Sequence, residues 1–246
     1  KDETWDFMKS LSSIGGEDWF QLGDRDLAIH VERTRRLKAG ETLSEVTAAL
    51  SAKLGVRHNL IPMSNDEIAT VVETPNGDLP FQHYFVRDRC DHHVNAVRFE
   101  GVESATLAPS IQVALDDSAL GVIVICPSNP FLSVDPVLAI PGVREALKAS
   151  SAPVVAVSPI VGGRAIKGPT AKMMEEMGMP ATPSSVAEHY GDLLDGFIMD
   201  EVDGVEALAV DRLGIRAILS KTIMNTLGDK IHLAEVSLNF ALGLKG

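Results

Sequence analysis

The period of the apolar residues along this chain changes near position 56. Before it, Leu27, Val31 and Thr34 recur at helical spacing behind Asp24, which stands where an N-cap is wanted, and Gly40 stops the run. Thr42-Leu43-Ser44-Glu45 has the form of a capping box, followed by Val46, Leu50 and Leu54 on one face and Gly55 as terminator. This spacing predicts two antiparallel helices joined by a short link, with their stripes turned to a core. Beyond residue 56 the segments 57–61, 68–73 and 79–86 read as strands, and Asn76-Gly77 between the last two is a hairpin signal.

A different grammar follows. Pro109 opens a helix carrying Ile111 and Leu115, and Gly121 leads into the unbroken apolar run Val122-Ile123-Val124-Ile125. A helix over 142–149 precedes Val154-Val155-Ala156-Val157, and helices over 171–177 and 183–190 precede Phe197-Ile198-Met199. The segment 205–213, stopped by Gly214, precedes a last apolar run at 215–219. Strands that are apolar throughout, alternating with helices, are what a parallel sheet covered on both faces requires. The expected fold is α/β, a doubly wound parallel sheet over 105–246, with a helix-plus-β-hairpin insertion over 20–100 as one wall. No linker or repeat divides the chain, so 1–246 reads as a single domain.

Composition narrows the function. With 45% hydrophobic and 23% charged residues in 246, the chain is an ordinary globule with a sizeable core. Thirty-four acidic residues against 22 Lys plus Arg give a net charge of -12, whose field argues against nucleic acid and anionic membranes as partners. A small phosphorylated ligand held by local N–H groups and a metal is still allowed. Two cysteines, Cys90 and Cys126, make no disulfide framework, the first residues lack a signal layout, and the longest apolar run is too short to span a bilayer. A cytoplasmic location is expected.

Ligands of open α/β sheets bind beyond the carboxyl ends of the strands. Three loops hold such positions: Cys126-Pro127-Ser128-Asn129-Pro130, Ser158-Pro159-Ile160-Val161-Gly162-Gly163, and Asp200-Glu201-Val202-Asp203. The first offers a hydroxyl, an amide and N–H groups between two prolines, and equally has the make-up of an ordinary strand-to-helix turn. In the second, Gly162 and Gly163 allow close backbone approach or a plain turn, with Lys167 and Lys172 downstream as possible phosphate partners or solvated helix residues. The acidic third loop has oxygen ligands for Mg²⁺, but such clusters are common in an acidic chain. Upstream, Leu22-Gly23-Asp24-Arg25-Asp26 sets two carboxylates around an arginine, the groups for a base, a metal ligand and a phosphate clamp, with His30 further along the helix.

These segments, taken in order, resemble one family. Leu22-Gly23-Asp24-Arg25-Asp26-Leu27-Ala28 with His30, Pro62-Met63-Ser64-Asn65-Asp66, Pro127-Ser128-Asn129-Pro130 and Ile140-Pro141-Gly142-Val143-Arg144 are similar to 2-phospho-L-lactate transferases. So are Ala152 onward to Ile160, Lys167-Gly168-Pro169, Ala187-Glu188-His189-Tyr190 and Asp200-Glu201.

The resemblance implies a Rossmann-like, Mg²⁺-dependent homodimer acting in the making of the deazaflavin coenzyme F-420. Such an enzyme transfers a phospho-carboxylate unit from a guanosine diphosphate-linked donor to the ribityl hydroxyl of the deazaflavin Fo and releases GMP. By motif position, Ser128, Asn129, Ser158, Gly162 and Gly163 belong to the donor side, the sheet region 105–246. Gln21, His30, Met63, Ser64, Asp66 and Gln82 belong to the acceptor side, with Asp24, Arg25 and Asp26 catalytic and Asp24 or Asp26 the candidate metal or proton partner. Family members open on a strand and a Gly-Gly-Thr-Gly-like phosphate loop with an acidic metal site, and these residues stand downstream of both. The expectation is that the family's first βα unit, with the main metal site, is not represented here. The competing reading is a non-catalytic nucleotide-binding regulator of the gluconeogenesis-factor type, which lacks the Leu-Gly-Asp-Arg-Asp pattern.

Overall fold

A computed structural model describes residues 3–244. Three helices come first: α1 (Asp6–Ser13), α2 (Asp24–Lys38) and α3 (Leu43–Lys53). The expected capping box is formed, with Thr42 Oγ1 accepting from the Glu45 amide and the Glu45 carboxylate accepting from the Thr42 amide at 2.8 Å. The stripe of α2 does not reach the core. No residue of α2 is buried and Val31 is 61% exposed, because its few apolar side chains are scattered among charged ones and form no wide face.

The insertion is an antiparallel sheet of β1 (Ala69–Thr74), β2 (Gly77–Pro80) and β3 (Ala96–Glu100), with β1 in the middle. Its hairpin turns at Pro75-Asn76, one residue earlier than the Asn-Gly signal suggests, and Gly77 pairs with Thr74 at φ +115°. The expected strand over 79–86 ends at Pro80, which has no N–H for a ladder, and His83–Arg87 winds instead into a π-helical turn. No strand forms over 57–61. Val72 and Tyr84 of this layer belong to the same buried cluster as the sheet below. Helix α7 (Thr170–Glu176) ties the two together: Lys172 Nζ donates to the His92 carbonyl at 2.7 Å and Glu176 accepts from the Val94 amide at 3.0 Å. Lys172 is therefore a staple between layers, paired to Glu176.

After α4 (Pro109–Leu115), the main sheet is built from β4 (Ile123–Ile125), β5 (Val154–Val157), β8 (Gly196–Asp200) and β9 (Arg216–Ser220), all parallel and side by side in that order. Between β4 and β5 lie a π-helical turn (Pro130–Val134), α5 (Asp135–Leu138) and α6 (Val143–Ala149). Between β5 and β8 lie the short hairpin β6 (Ile160–Val161) and β7 (Arg164–Ala165), then α7 and α8 (Pro183–Tyr190). A 3-10 segment (Glu201–Glu206) and α9 (Ala207–Arg212) lead to β9, and α10 (Leu227–Leu242) follows.

Successive strands step the same way, so right-handed crossovers bring their helices to one face. Phe197 and Met199 point there, into a cluster with Met173, Met174 and Tyr190. The intervening Val157 and Ile198 point to the other face, where Leu233 and Phe240 of α10 cover them. Burial on both faces is why β5 and β8 are apolar at nearly every position. Strands β4 and β9 are the sheet's margins among the described residues.

Candidate active site

A cavity of about 540 Å³ opens at the carboxyl ends of β4, β5 and β9. Pro127, Ser128 and Asn129 enter it from the turn after β4, Ser158 and Pro159 from the turn after β5, and Thr222, Ile223 and Met224 from the segment after β9. Ile166, Lys167, Gly168, Pro169 and Thr170 come from the approach to α7, and Lys230 from the first turn of α10. Phe81 and Phe85 of the insertion face it from outside the sheet, their rings stacked at 5.3 Å between centroids.

Its charge is one-sided. Among the described residues Lys167 and Lys230 pair with no carboxylate, and no Asp or Glu lines the cavity. In a chain of net charge -12, a pocket with cations alone is a place for an anion. Stacked phenylalanines on the insertion side add a flat apolar surface.

Asn129 caps the turn that follows β4. Its Oδ1 accepts from the Phe131 and Leu132 amides at 2.9 and 3.1 Å, and its Nδ2 approaches the Met173 sulfur at 3.5 Å. The amide nitrogen is thus the side that Asn129 offers a ligand. Ser128 also lines the cavity, and its hydroxyl has no hydrogen-bond partner among the described residues. Ser158 is different: its Oγ donates to the Ile160 carbonyl and accepts from the Ile160 amide, so it shapes its turn rather than presenting a free hydroxyl.

Gly162 and Gly163 do not line the cavity. They form the two-residue turn between β6 and β7, both at positive φ (57° and 73°), a conformation that glycine takes without a Cβ clash. The Gly162 amide donates to Asp203 at 3.0 Å. Burial pushes the Asp203 carboxyl above its usual range, and nearby Asp200 and Glu206 add to that against the Gly162 bond. At neutral pH the fold therefore holds Asp203 ionised against its preference. Asp203→Asn, which keeps an oxygen for Gly162, is expected to raise the melting temperature at pH 7, and that advantage shrinks as pH falls through the raised value toward the unfolded value near 3.8. A lower melting temperature at pH 7 would show that the Gly162 bond outweighs the burial.

Asp200, at the end of β8, is buried beneath the cavity. Its Oδ2 accepts from the Thr222 amide (2.9 Å) and hydroxyl (3.0 Å), and its Oδ1 from the Val202 amide. Burial alone raises its pKa, but these bonds outweigh it and hold the carboxyl below its usual range. The segment after β9 is pinned in place by this carboxylate.

The residues assigned to the acceptor side stand away from the cavity lining. Asp24 opens α2, but its carboxylate accepts from the Asp6 and Phe7 amides (3.2 and 3.1 Å) and so caps the neighbouring α1. Hydrogen bonds from Thr4 and from the Phe7 amide hold its pKa down. The Arg25 amide donates to Glu3 Oε1, and Asp26 and His30 are exposed on α2. Gln21 Nε2 donates to the Asp18 carbonyl. Ser64 and Asp66 form a knot with Thr106, whose amide donates to Asp66 at 2.7 Å while Ser64 Oγ donates to the Thr106 carbonyl at 2.6 Å. Met63 packs against the core, and Asn65 Oδ1 caps α3 through the Ser44 amide. Gln82 is exposed between the two phenylalanines that do reach the cavity.

Asp24→Asn is accordingly expected to lower the melting temperature and deprotect the Asp6 and Phe7 amides in hydrogen exchange. Full protection in the variant would remove the cap from the account.

For the expected Mg²⁺, the donor set does not fit an all-protein cage. Among the described residues no three His, Cys, Asp or Glu side chains converge, and the carboxylates of Asp24, Asp66, Asp200 and Asp203 are occupied by N–H and O–H donors.

The sequence reading missed Phe81, Phe85, Met224 and Lys230. The strand-end rule already pointed to the segment after 215–219, a fourth loop of the same kind as the three considered. The phenylalanines were hidden by reading 79–86 as extended.

Fold and cavity together define a Rossmann-like α/β protein with a lysine-lined cavity at its strand ends. The family model described as 2-phospho-L-lactate transferase CofD matches residues 7–221. A protein named 2-phospho-L-lactate transferase from Methanosarcina mazei is 36% identical over 236 residues, 96% of this chain and 77% of that protein. One named phosphoenolpyruvate transferase from Streptomyces griseus is 39% identical over 246 residues, 98% of this chain and 77% of the other. Among solved structures, protein BH3568 from Bacillus halodurans superimposes with a TM-score of 0.62 at 18% identity, covering 89% of this chain and 72% of that one. That likeness confirms the fold. The chain belongs to the 2-phospho-L-lactate transferase CofD family and is a transferase. No helix among the described residues is long and apolar enough to cross a membrane.

Proposed function

We propose that this enzyme moves a phospho-carboxylate unit (phospholactate, or a phosphoenolpyruvate or phosphoglycerate variant) from a guanosine diphosphate-linked donor to the deazaflavin Fo, releasing GMP, in coenzyme F-420 biosynthesis. The observation that carries the reading is the cation-only lining of the cavity, with Lys167 and Lys230 at the strand ends and the Phe81–Phe85 stack opposite. Lysines suit the donor's diphosphate, and flat phenyl faces suit a tricyclic acceptor. Relatives with either donor in their names match at similar identity, so the class of donor is the proposal.

In the reaction, the ribityl hydroxyl oxygen forms a bond to the donor's distal phosphorus as the phosphoanhydride P–O bond breaks. GMP leaves with the electron pair, and the hydroxyl proton passes to a base. There is little covalent chemistry for the protein beyond in-line placement and charge neutralisation. Ser128 and the Asn129 amide nitrogen would hold donor oxygens. No Asp, Glu or His lines the cavity among the described residues, and Asp26 stands exposed on α2 away from it, so Asp26→Asn is expected to leave kcat within about twofold. A loss of kcat on the order of 100-fold would bring α2 into the site.

The test is direct. Fo, Mg²⁺ and each of the three guanylylated donors are incubated with the protein, and GMP and a phosphodiester-linked deazaflavin are sought by chromatography and mass spectrometry. Absence of product with all three overturns the reading. Repeating the assay with excess chelator decides the Mg²⁺ dependence, and light scattering decides the homodimer, both part of the same proposal. A cytoplasmic site of action suits two unpaired thiols.

A further inference from the structure

A titratable pair outside the cavity bears on its shape. His189, on the last turn of α8, sits with its Nε2 at 2.9 Å from both carboxylate oxygens of Asp135. A carboxylate only accepts, so Nε2 carries the proton of this bond. Asp135 is the first residue of α5, and the π-helical turn Pro130–Val134 runs straight into it. The other end of that turn is Asn129, which caps it through the Phe131 and Leu132 amides. Phe131, buried in the turn, meets the His189 ring edge-on at 5.0 Å.

One imidazole therefore grips the turn at two places, the Phe131 ring and the Asp135 carboxylate. Neither His189, Asp135 nor Phe131 lines the cavity, whereas Asn129, Leu132 and Ser133 do. These two contacts with the turn are the direct route from His189 to the site. A π-helical turn carries one residue more per turn than an α-helix and is held only where its surroundings fix it. Here a half-buried, charge-assisted hydrogen bond does so.

We infer that His189 and Asp135 are positioning residues that hold the turn after β4 in the form in which Asn129 faces the cavity. The inference rests on the reading of this cavity as the donor site, and the test separates the two. Full-length wild type, His189→Ala and His189→Gln are compared by amide hydrogen exchange and by steady-state kinetics. Glutamine keeps an N–H donor near the place of Nε2.

In the alanine variant, protection of the Phe131 and Leu132 amides should fall roughly tenfold, the scale set by one charge-assisted hydrogen bond. Protection of the Val155 and Val157 amides should hold. The KM for the guanylylated donor should rise roughly tenfold with kcat within about twofold, the signature of lost uniform binding. Glutamine should restore much of both. A merely structural role would lower the melting temperature and leave KM alone.

Unchanged protection at Phe131 and Leu132, or no rescue by glutamine, overturns the inference. If His189→Ala loses strand protection altogether, Asp135→Ala decides, since it leaves every ring contact in place. The same loss at Phe131 and Leu132 is expected there, and its absence is a refutation. A wild type that makes no product would sink the functional reading while the exchange result stands by itself.

Discussion

Changing both Lys167 and Lys230 to alanine is expected to lower kcat/KM for the guanylylated donor about 1000-fold. A charge-assisted contact to phosphate contributes about 1.5–3 kcal/mol, so each lysine alone should account for roughly 10–100-fold. Neither side chain has an ion-pair partner among the described residues, so the melting temperature should hold or rise as their mutual repulsion is relieved. The two sites face one cavity, and a double-mutant cycle should show coupling if both touch the same diphosphate. Rising salt should weaken donor binding to the wild type and leave the double variant nearly indifferent. A double variant with wild-type kcat/KM would place the anion elsewhere and remove the observation on which the proposed function stands.

Asp200→Ala is the second large effect, and it acts on stability first. The substitution strips partners from the Thr222 amide and hydroxyl and the Val202 amide, all close to a buried carboxylate. Buried donors left unsatisfied cost about 1–3 kcal/mol each, so a loss of about 3 kcal/mol is expected after partial relaxation. Because the folded pKa of Asp200 lies below its unfolded value near 3.8, its contribution is present in full above that value. It is lost as pH falls through the lower, folded value. The gap in melting temperature between variant and wild type should therefore be constant from neutral pH down to about 5 and close in stronger acid. Activity should fall with it, since Thr222, Ile223 and Met224 line the cavity. Asp200→Asn, which retains one acceptor oxygen, should lie between the two.

How much of this was legible depended on how local the determining forces are. The apolar strands at 154–157 and 197–199 could be read because burial on both faces leaves no polar position there to confuse the period, and α8 runs over 183–190 as its pattern predicts. The capping box at Thr42 was equally plain, since both its partners lie within one turn. Asp24 was not. Its sequence position is that of an N-cap, and nothing local reveals that its carboxylate caps α1, seventeen and eighteen residues back in the chain.

Leu79 and Phe81 alternate as a strand would, and only the missing N–H of Pro80 gave notice that the ladder stops. Helix α10 went unread although its Leu233 and Phe240 cover Val157 and Ile198, because it lies beyond the last motif of the series. Of the donor-side residues, Ser128, Asn129 and Ser158 do gather at the cavity, as strand-end geometry demands. Gly162 and Gly163 answer to the turn of their own hairpin. On the acceptor side the residues were chosen by motif order, and the cavity instead receives the aromatic neighbours of Gln82.

The two sheets also differ in how much chain each pairing must gather. Residues of β1 meet β2 across a turn of two residues, while β4 must wait for the turn and two helices before it can meet β5. Loop closure makes the former fast and the latter slow. During refolding the aromatic wall with Phe81 and Phe85 is thus expected to assemble before the floor beneath it. In that interval it is a sticky surface with nothing to rest on, and dilute, cool refolding conditions should favour recovery over precipitation.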